Sequence, residues 1–131
     1  HTGRGKDLSP ELILENLSPE AAALAVTLED MSHPIKGFTH WVAWNLPVAD
    51  RIPGAIPAGR TVPGGGAQGV AYGLHRYAGP KPPRRTRHTY RFTVYALDRP
   101  LELPSRAGKR AFLKAARGCI LQSGSVSGQF E

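Results

Sequence analysis

Four side chains in this sequence combine the chemistry of a small polar site with positions at the ends of apolar runs. Asp30 closes ALAVTLED, His40 opens HWVAWNLP, and His88 and Tyr90 stand at the start of HTYRFTVYALD. Taken one at a time each has a plain explanation. Asp30 would serve to open the turn toward Pro34, His40 would serve as a core histidine satisfied by backbone groups, and His88 as an exposed strand start. Together they point to a site, because a core gains most from apolar residues where its most hydrophobic strands begin, and here imidazoles stand instead. A histidine beside a carboxylate holds a defined tautomer or a positive charge, and a tyrosine hydroxyl adds a neutral donor. That set suits capture of a phosphate or carboxylate guest. Asp30 is expected to be mostly buried and hydrogen-bonded to a histidine, His40 before His88.

The elements that must position these groups are strands. In residues 23–30 alternation puts Leu24, Val26, Leu28 and Asp30 on one face and Ala23, Ala25, Thr27 and Glu29 on the other. His40 to Pro47 is short, aromatic and β-branched, and reads as a buried strand. The clearest strand begins at His88, with His88, Tyr90, Phe92, Val94 and Ala96 on one face. Residues 1–22 read as an extended arm with one short strand at Leu12, Ile13 and Leu14. Residues 48–69, rich in proline and carrying Gly64, Gly65 and Gly66 in succession, read as a long irregular loop, and a second irregular stretch runs from Gly79 to Arg87. From Gly108 to about Gln122, Phe112, Ala116, Cys119, Ile120 and Ser123 recur at helical spacing, which predicts one helix that Gly118 could end early. The tail SGSVSGQFE adds a last short strand.

Composition narrows the classes. A chain of 131 residues is the size of one domain, so residues 1–131 are read as a single unit. Fifteen glycines and twelve prolines exclude a helical bundle. No stretch approaches the roughly 18 consecutive apolar residues of a spanning helix, so a soluble protein is expected. The formal charge of +7 invites a nucleic-acid reading. It is disfavoured: the basic runs around Lys81, Arg84, Arg85 and Arg87 and around Lys109, Arg110, Lys114 and Arg117 lie apart and match no nucleic-acid motif. Cys119 is the single cysteine, which excludes an internal disulfide and a cysteine zinc site. The chain opens at His1 without a charged-then-apolar leader, so a targeting segment is read as removed or never present. The compartment is undetermined, with the cytoplasm favoured, as is the oligomeric state.

The runs SPEL at Ser9 to Leu12, LAVTLED with Pro34 four residues on, THWVAWNLP, YAGPKPP, RHTYRFTVYALD and GSVSGQF follow one another in an order that resembles the phosphatidylethanolamine-binding protein family, in particular its bacterial branch of Raf kinase inhibitor-like proteins. The resemblance covers nearly the whole chain, and its most specific piece is G-P-x-P-P followed by H-x-Y-R-F-x-V-Y-A-L-D. It implies a mainly β fold, an antiparallel β-sandwich with a C-terminal helix near the pocket. It also implies that Asp30, Pro34, His40, Gly79, Pro80, His88 and Tyr90 line an anion pocket, and that the His33–Pro34 peptide is cis. The sequence departs from the family pattern where D-P-D-A-P is replaced by Asp30, Met31, Ser32, His33 and Pro34, which removes the second acid. Lys81 stands where bacterial relatives often have cysteine, and Arg84 and Arg85 replace a glycine-containing turn. Against that pattern the chain reads as beginning near the family's second segment, with the first strand expected to be missing or very short.

These readings converge on a non-enzymatic binding module for a small anion or phosphorylated headgroup, with a kinase or protease as the kind of protein partner such family members inhibit. No cofactor is called for. The rival is a hydrolase using Asp30 with His40 or His88 as an acid/base pair on an ester, but there is no G-x-S-x-G elbow, and Cys119 falls in the apolar stripe of the expected helix. A two-histidine, one-carboxylate metal site from His40, His88 and Asp30 lacks the local ligand spacing such sites use.

Overall fold

The structure, a computed structural model, describes residues 9–32, 38–71, 75–77 and 88–130, with residues 128–130 described by their backbone alone. Its elements are β1 (Leu12–Ile13), β2 (Ala23–Asp30), β3 (Phe38–Leu46), β4 (Arg51–Ile52), β5 (Ala67–Gln68), β6 (His88–Leu97), α1 (Lys109–Ala116) and β7 (Ile120–Phe130). Five strands form one sheet in the order β5-β3-β2-β6-β7, and β1 pairs with β4 in a second. Every strand pairing is antiparallel.

All eight residues of β2 are buried, because the strand is central and both faces of the sheet are covered. On one face Leu24, Val26 and Leu28 join Trp41, Ala43, Tyr90 and Ala96 in a cluster closed by Ile52, Ile56, Val62 and Tyr77, with Leu12, Leu14 and Leu17 of the arm packed against it. On the other face Ala25, Val42, Trp44 and Leu97 meet Phe112 and Ala116 of α1. The molecule is therefore layered: helix, five-stranded sheet, then the arm and the small sheet.

Two register shifts keep β3 facing correctly. Leu24 pairs with Leu46 and Val26 with Ala43, so one extra β3 residue is accommodated around Asn45, whose φ is 57°. Its side-chain amide bonds Leu101 both ways, at 2.8 and 2.7 Å. The second shift falls between Leu28, paired with Trp41, and Glu29, paired with Thr39, which leaves His40 as the extra residue.

The helix is shorter than its sequence periodicity predicts. It ends at Ala116, Gly118 adopts φ 81°, and Ile120 already belongs to β7. A left-handed glycine turns the chain back, and pairing with β6 then outweighs the helical propensity of the following residues. Phe112 and Ala116 are buried as the stripe predicts, whereas Ile120 is 41% exposed. A second difference is the helix's place: α1 packs on the face opposite Asp30 and Tyr90, because its apolar stripe fits the Trp44 side of β3.

The long loop is pinned rather than loose. Buried Gln68 accepts a hydrogen bond from Trp41 Nε1 at 2.8 Å and donates to the carbonyls of Pro57 and Gly59. Ser9 Oγ accepts from the Ile56 amide at 2.9 Å, and its carbonyl accepts from the Ala55 amide.

Candidate functional site

Asp30 ends β2 opposite Phe38 of β3 and Tyr90 of β6. Opposed residues of an antiparallel pair project to the same face, so Asp30 and Tyr90 share the side of the first cluster, and His88, two residues before Tyr90, shares it too. His88 Nδ1 lies 2.7 Å from Asp30 Oδ2. An ionised carboxylate has acceptors only, so this nitrogen carries the proton and donates. The side chains are 13% and 3% exposed, which makes the pair a largely dry one.

The surrounding backbone fixes this geometry. Asp30 Oδ1 accepts the Ser32 amide at 2.9 Å, Ser32 Oγ accepts the Thr89 amide at 2.9 Å, and the Met31 amide donates to the Thr89 carbonyl at 2.7 Å. The first of these is an Asx turn, which aspartate favours two residues before its bonded amide. The turn after β2 is thereby fastened to the start of β6, on either side of the Asp30–His88 bond.

His40 is 2% exposed and presents its ring edge-to-face to Tyr90, with centroids 5.2 Å apart, and to Phe38 at 5.6 Å. Tyr90 in turn lies nearly parallel to His88, at 6.4 Å and 25°. The phenol ring is thus flanked by two imidazoles. The bulge in β3 makes this possible: Trp41 faces the first cluster, strict alternation would send its neighbour His40 to the opposite face, and the extra residue resets the pattern.

The sequence expectation that His40 is Asp30's partner is corrected: the partner is His88. The β2–β6 register runs unbroken from Ala23 to Asp30 and delivers His88 beside the carboxylate, whereas the bulge turns His40 to the Tyr90 ring. Pro34, Gly79, Pro80 and the expected cis His33–Pro34 peptide lie outside the described residues. Ser32 and Thr89 were not among the candidates, although an acid followed two residues later by serine is the signal that could have found the turn. Among the described residues no three His, Cys, Asp or Glu side chains form a group able to hold a metal ion.

Two cavities lie away from these residues, one of about 290 Å³ between the arm and β7, and one of about 380 Å³ lined by Pro47, Pro53, Pro57 and Pro63 of the long loop. Beyond the far end of β6, the Arg99 guanidinium hydrogen-bonds Asp98 and holds its carboxyl below the usual range, on an exposed surface remote from the site. No helix among the described residues is long and apolar enough to cross a membrane.

Chemically, His88 with Nδ1 committed to Asp30 has Nε2 as its second polar atom. That nitrogen is an acceptor when the ring is neutral and a donor when it is protonated. The Nε2 of His88 can therefore present a donor to an anion when the ring is protonated, while the Asp30 carboxylate behind orients the ring.

Comparison with known proteins agrees with this architecture. The chain is 38% identical over 135 residues to a UPF0098 protein of Pyrococcus horikoshii, a match that covers all of this chain and 68% of that protein. The crystal structure of a phosphatidylethanolamine-binding protein homolog from Chlamydia trachomatis, CT736, superposes with a TM-score of 0.84 at 28% identity, covering 99% of this chain and 85% of the other. Escherichia coli YbcL shares the fold at a TM-score of 0.76 and 20% identity, over 97% and 82% of the two chains. The model of one family matches residues 1–131 throughout, and the chain belongs to that family, the phosphatidylethanolamine-binding proteins.

Proposed function

We propose that this protein is a non-enzymatic binding module whose pocket, formed by Asp30, His40, His88 and Tyr90 with Pro34, Gly79 and Pro80 at its rim, takes a phosphate-type anion or a phosphorylated headgroup. The observation that carries the proposal is the buried 2.7 Å bond between Asp30 and His88, with Tyr90 and His40 ring-packed beside it. A buried carboxylate at the end of β2 and a largely buried histidine at the start of β6, with a second histidine in the β3 bulge beside them, make sense where a ligand needs oriented donors. Membership of a family named for binding a phosphorylated headgroup lies in the same direction. The segments next to these residues in sequence are where a protein partner such as a kinase or protease would make contact.

The hydrolase alternative has an acid/base pair in Asp30 and His88, but among the described residues no nucleophile is placed against it. Ser32 Oγ is engaged with the Thr89 amide, and Cys119 packs against the α1 cluster on the opposite face. Calorimetric titration of sulfate and of phosphoethanolamine into the purified chain tests the binding role, with saturable 1:1 heat expected. A parallel assay on aryl phosphate and carboxylate esters separates the alternatives, since turnover that disappears in Asp30→Ala would replace the binding reading with the enzymatic one.

A further inference from the structure

The residue at position 32 decides how much negative charge stands beside His88. Both oxygens of the Asp30 carboxylate are engaged: Oδ2 accepts from His88 Nδ1 at 2.7 Å, and Oδ1 accepts the Ser32 amide at 2.9 Å. The next acceptor in the turn is a hydroxyl, since Ser32 Oγ takes the amide of Thr89, the residue after His88, at 2.9 Å. An amide bonds a carboxylate more strongly than a hydroxyl oxygen, so an acid at position 32 would hold the turn at least as well. What the neutral side chain changes is the charge. It leaves Asp30 the one carboxylate, among the described residues, that is hydrogen-bonded to this turn or to His88. Glu29, its neighbour, lies on the other face of the sheet and is paired with Lys109 at 2.7 Å.

The sequence around the site is basic in the same sense. Residues 33–37, between Asp30 and His40, and residues 78–87, which lead to His88, carry Lys36, Lys81, Arg84, Arg85 and Arg87 and no Asp or Glu. One acid, Glu131, follows Phe130, the residue that pairs with His88 in β7. Cations therefore outnumber acids among these neighbours. A guest is sorted by its charge in such surroundings. The phosphate of a diester carries one negative charge and that of a monoester close to two, and every carboxylate near the guest repels the second charge.

We propose that the pocket takes the doubly charged phosphate of a monoester in preference to the singly charged phosphate of a diester, and that the neutral hydroxyl of Ser32 sets this preference. The inference rests on the anion-pocket reading above and narrows its guest. A carboxylate at position 32 would stand about as far from the guest as charges that interact strongly at a partly wet surface, which makes a tenfold change in affinity a reasonable scale for the second charge.

Calorimetric titration of the purified chain with two pairs of probes tests it. Sulfate against methyl sulfate isolates one unit of charge, and phosphoethanolamine against glycerophosphoethanolamine, at roughly pH 8, compares monoester with diester. Wild type should bind the doubly charged member of each pair about tenfold or more tightly. Ser32→Asp should shrink that ratio by about tenfold, chiefly by weakening the doubly charged guest. Ser32→Asn keeps a neutral acceptor for the Thr89 amide and should retain the ratio. Thermal melts check each fold, and Ser32→Glu, with the same charge on a longer side chain, serves where Ser32→Asp does not fold. A short phosphoserine peptide run beside phosphoethanolamine separates the two sources of a monoester, a modified side chain and a free headgroup. A wild type that binds no probe would remove the pocket reading and this inference with it. Binding of sulfate with no preference over methyl sulfate, or a preference that survives in a folded acidic variant, would overturn this inference alone. Loss of the ratio in Ser32→Asn as well would also overturn it, because turn geometry rather than charge would then be its cause.

Discussion

Replacing His88 with alanine is the sharpest test of the pocket, because the structure says how many bonds are at stake. Nδ1 is committed to Asp30 at 2.7 Å, so only Nε2 is left to serve a guest. One hydrogen bond to a charged group contributes about 1.5 to 3 kcal/mol, so His88→Ala should weaken sulfate binding by about 10- to 150-fold. Isothermal titration of sulfate into both proteins gives the two affinities that are compared. Thermal melts without ligand separate a binding defect from loss of fold, since removing the ring also strips a buried carboxylate of its partner. A folded His88→Ala protein that binds sulfate within about twofold of wild type would refute the reasoning, because the donor assigned to the guest would then be contributing nothing.

Three further outcomes follow from packing. Phe112, fully buried between Trp44 and Tyr95, should cost about 3 to 5 kcal/mol of unfolding free energy when cut to alanine, read from urea denaturation; a loss under about 1 kcal/mol would mean that α1 does not close the second cluster. Lys109→Met leaves the buried Glu29 carboxylate without its 2.7 Å partner and should destabilise by about 2 to 4 kcal/mol, most of it regained in the double variant with Glu29→Met, as a double-mutant cycle would reveal. Gly69→Ala sets a methyl 2.4 Å from both the Ala107 carbonyl and the Trp44 ring, and should lower stability by about 2 kcal/mol or more in the same assay; an unchanged midpoint would contradict the close approach of these segments.

Much of the strand architecture was legible in the residues. Alternation over 23–30 and 88–97 assigned the faces of β2 and β6 as the structure has them, since a period of two is a local property of extended backbone and needs no partner. The family was legible as well, through motifs spread along the chain. Helix length was not, because residues 117–122 carry a helical pattern but lie where pairing with β6 is available, and local periodicity cannot report a competing long-range ladder.

The same division holds for the site. Residue types alone nominated Asp30, His40, His88 and Tyr90, and the alternation of each strand put Asp30 on the apolar face of β2 and His88 with Tyr90 on one face of β6. Which histidine meets the carboxylate was decided by strand order and register: β6 delivers His88 to Asp30 in an unbroken ladder, while one extra residue in β3 turns His40 to the tyrosine ring. A sequence carries the period of each strand, but a bulge exists only between two strands, so the pairing that completes the site belongs to the tertiary structure.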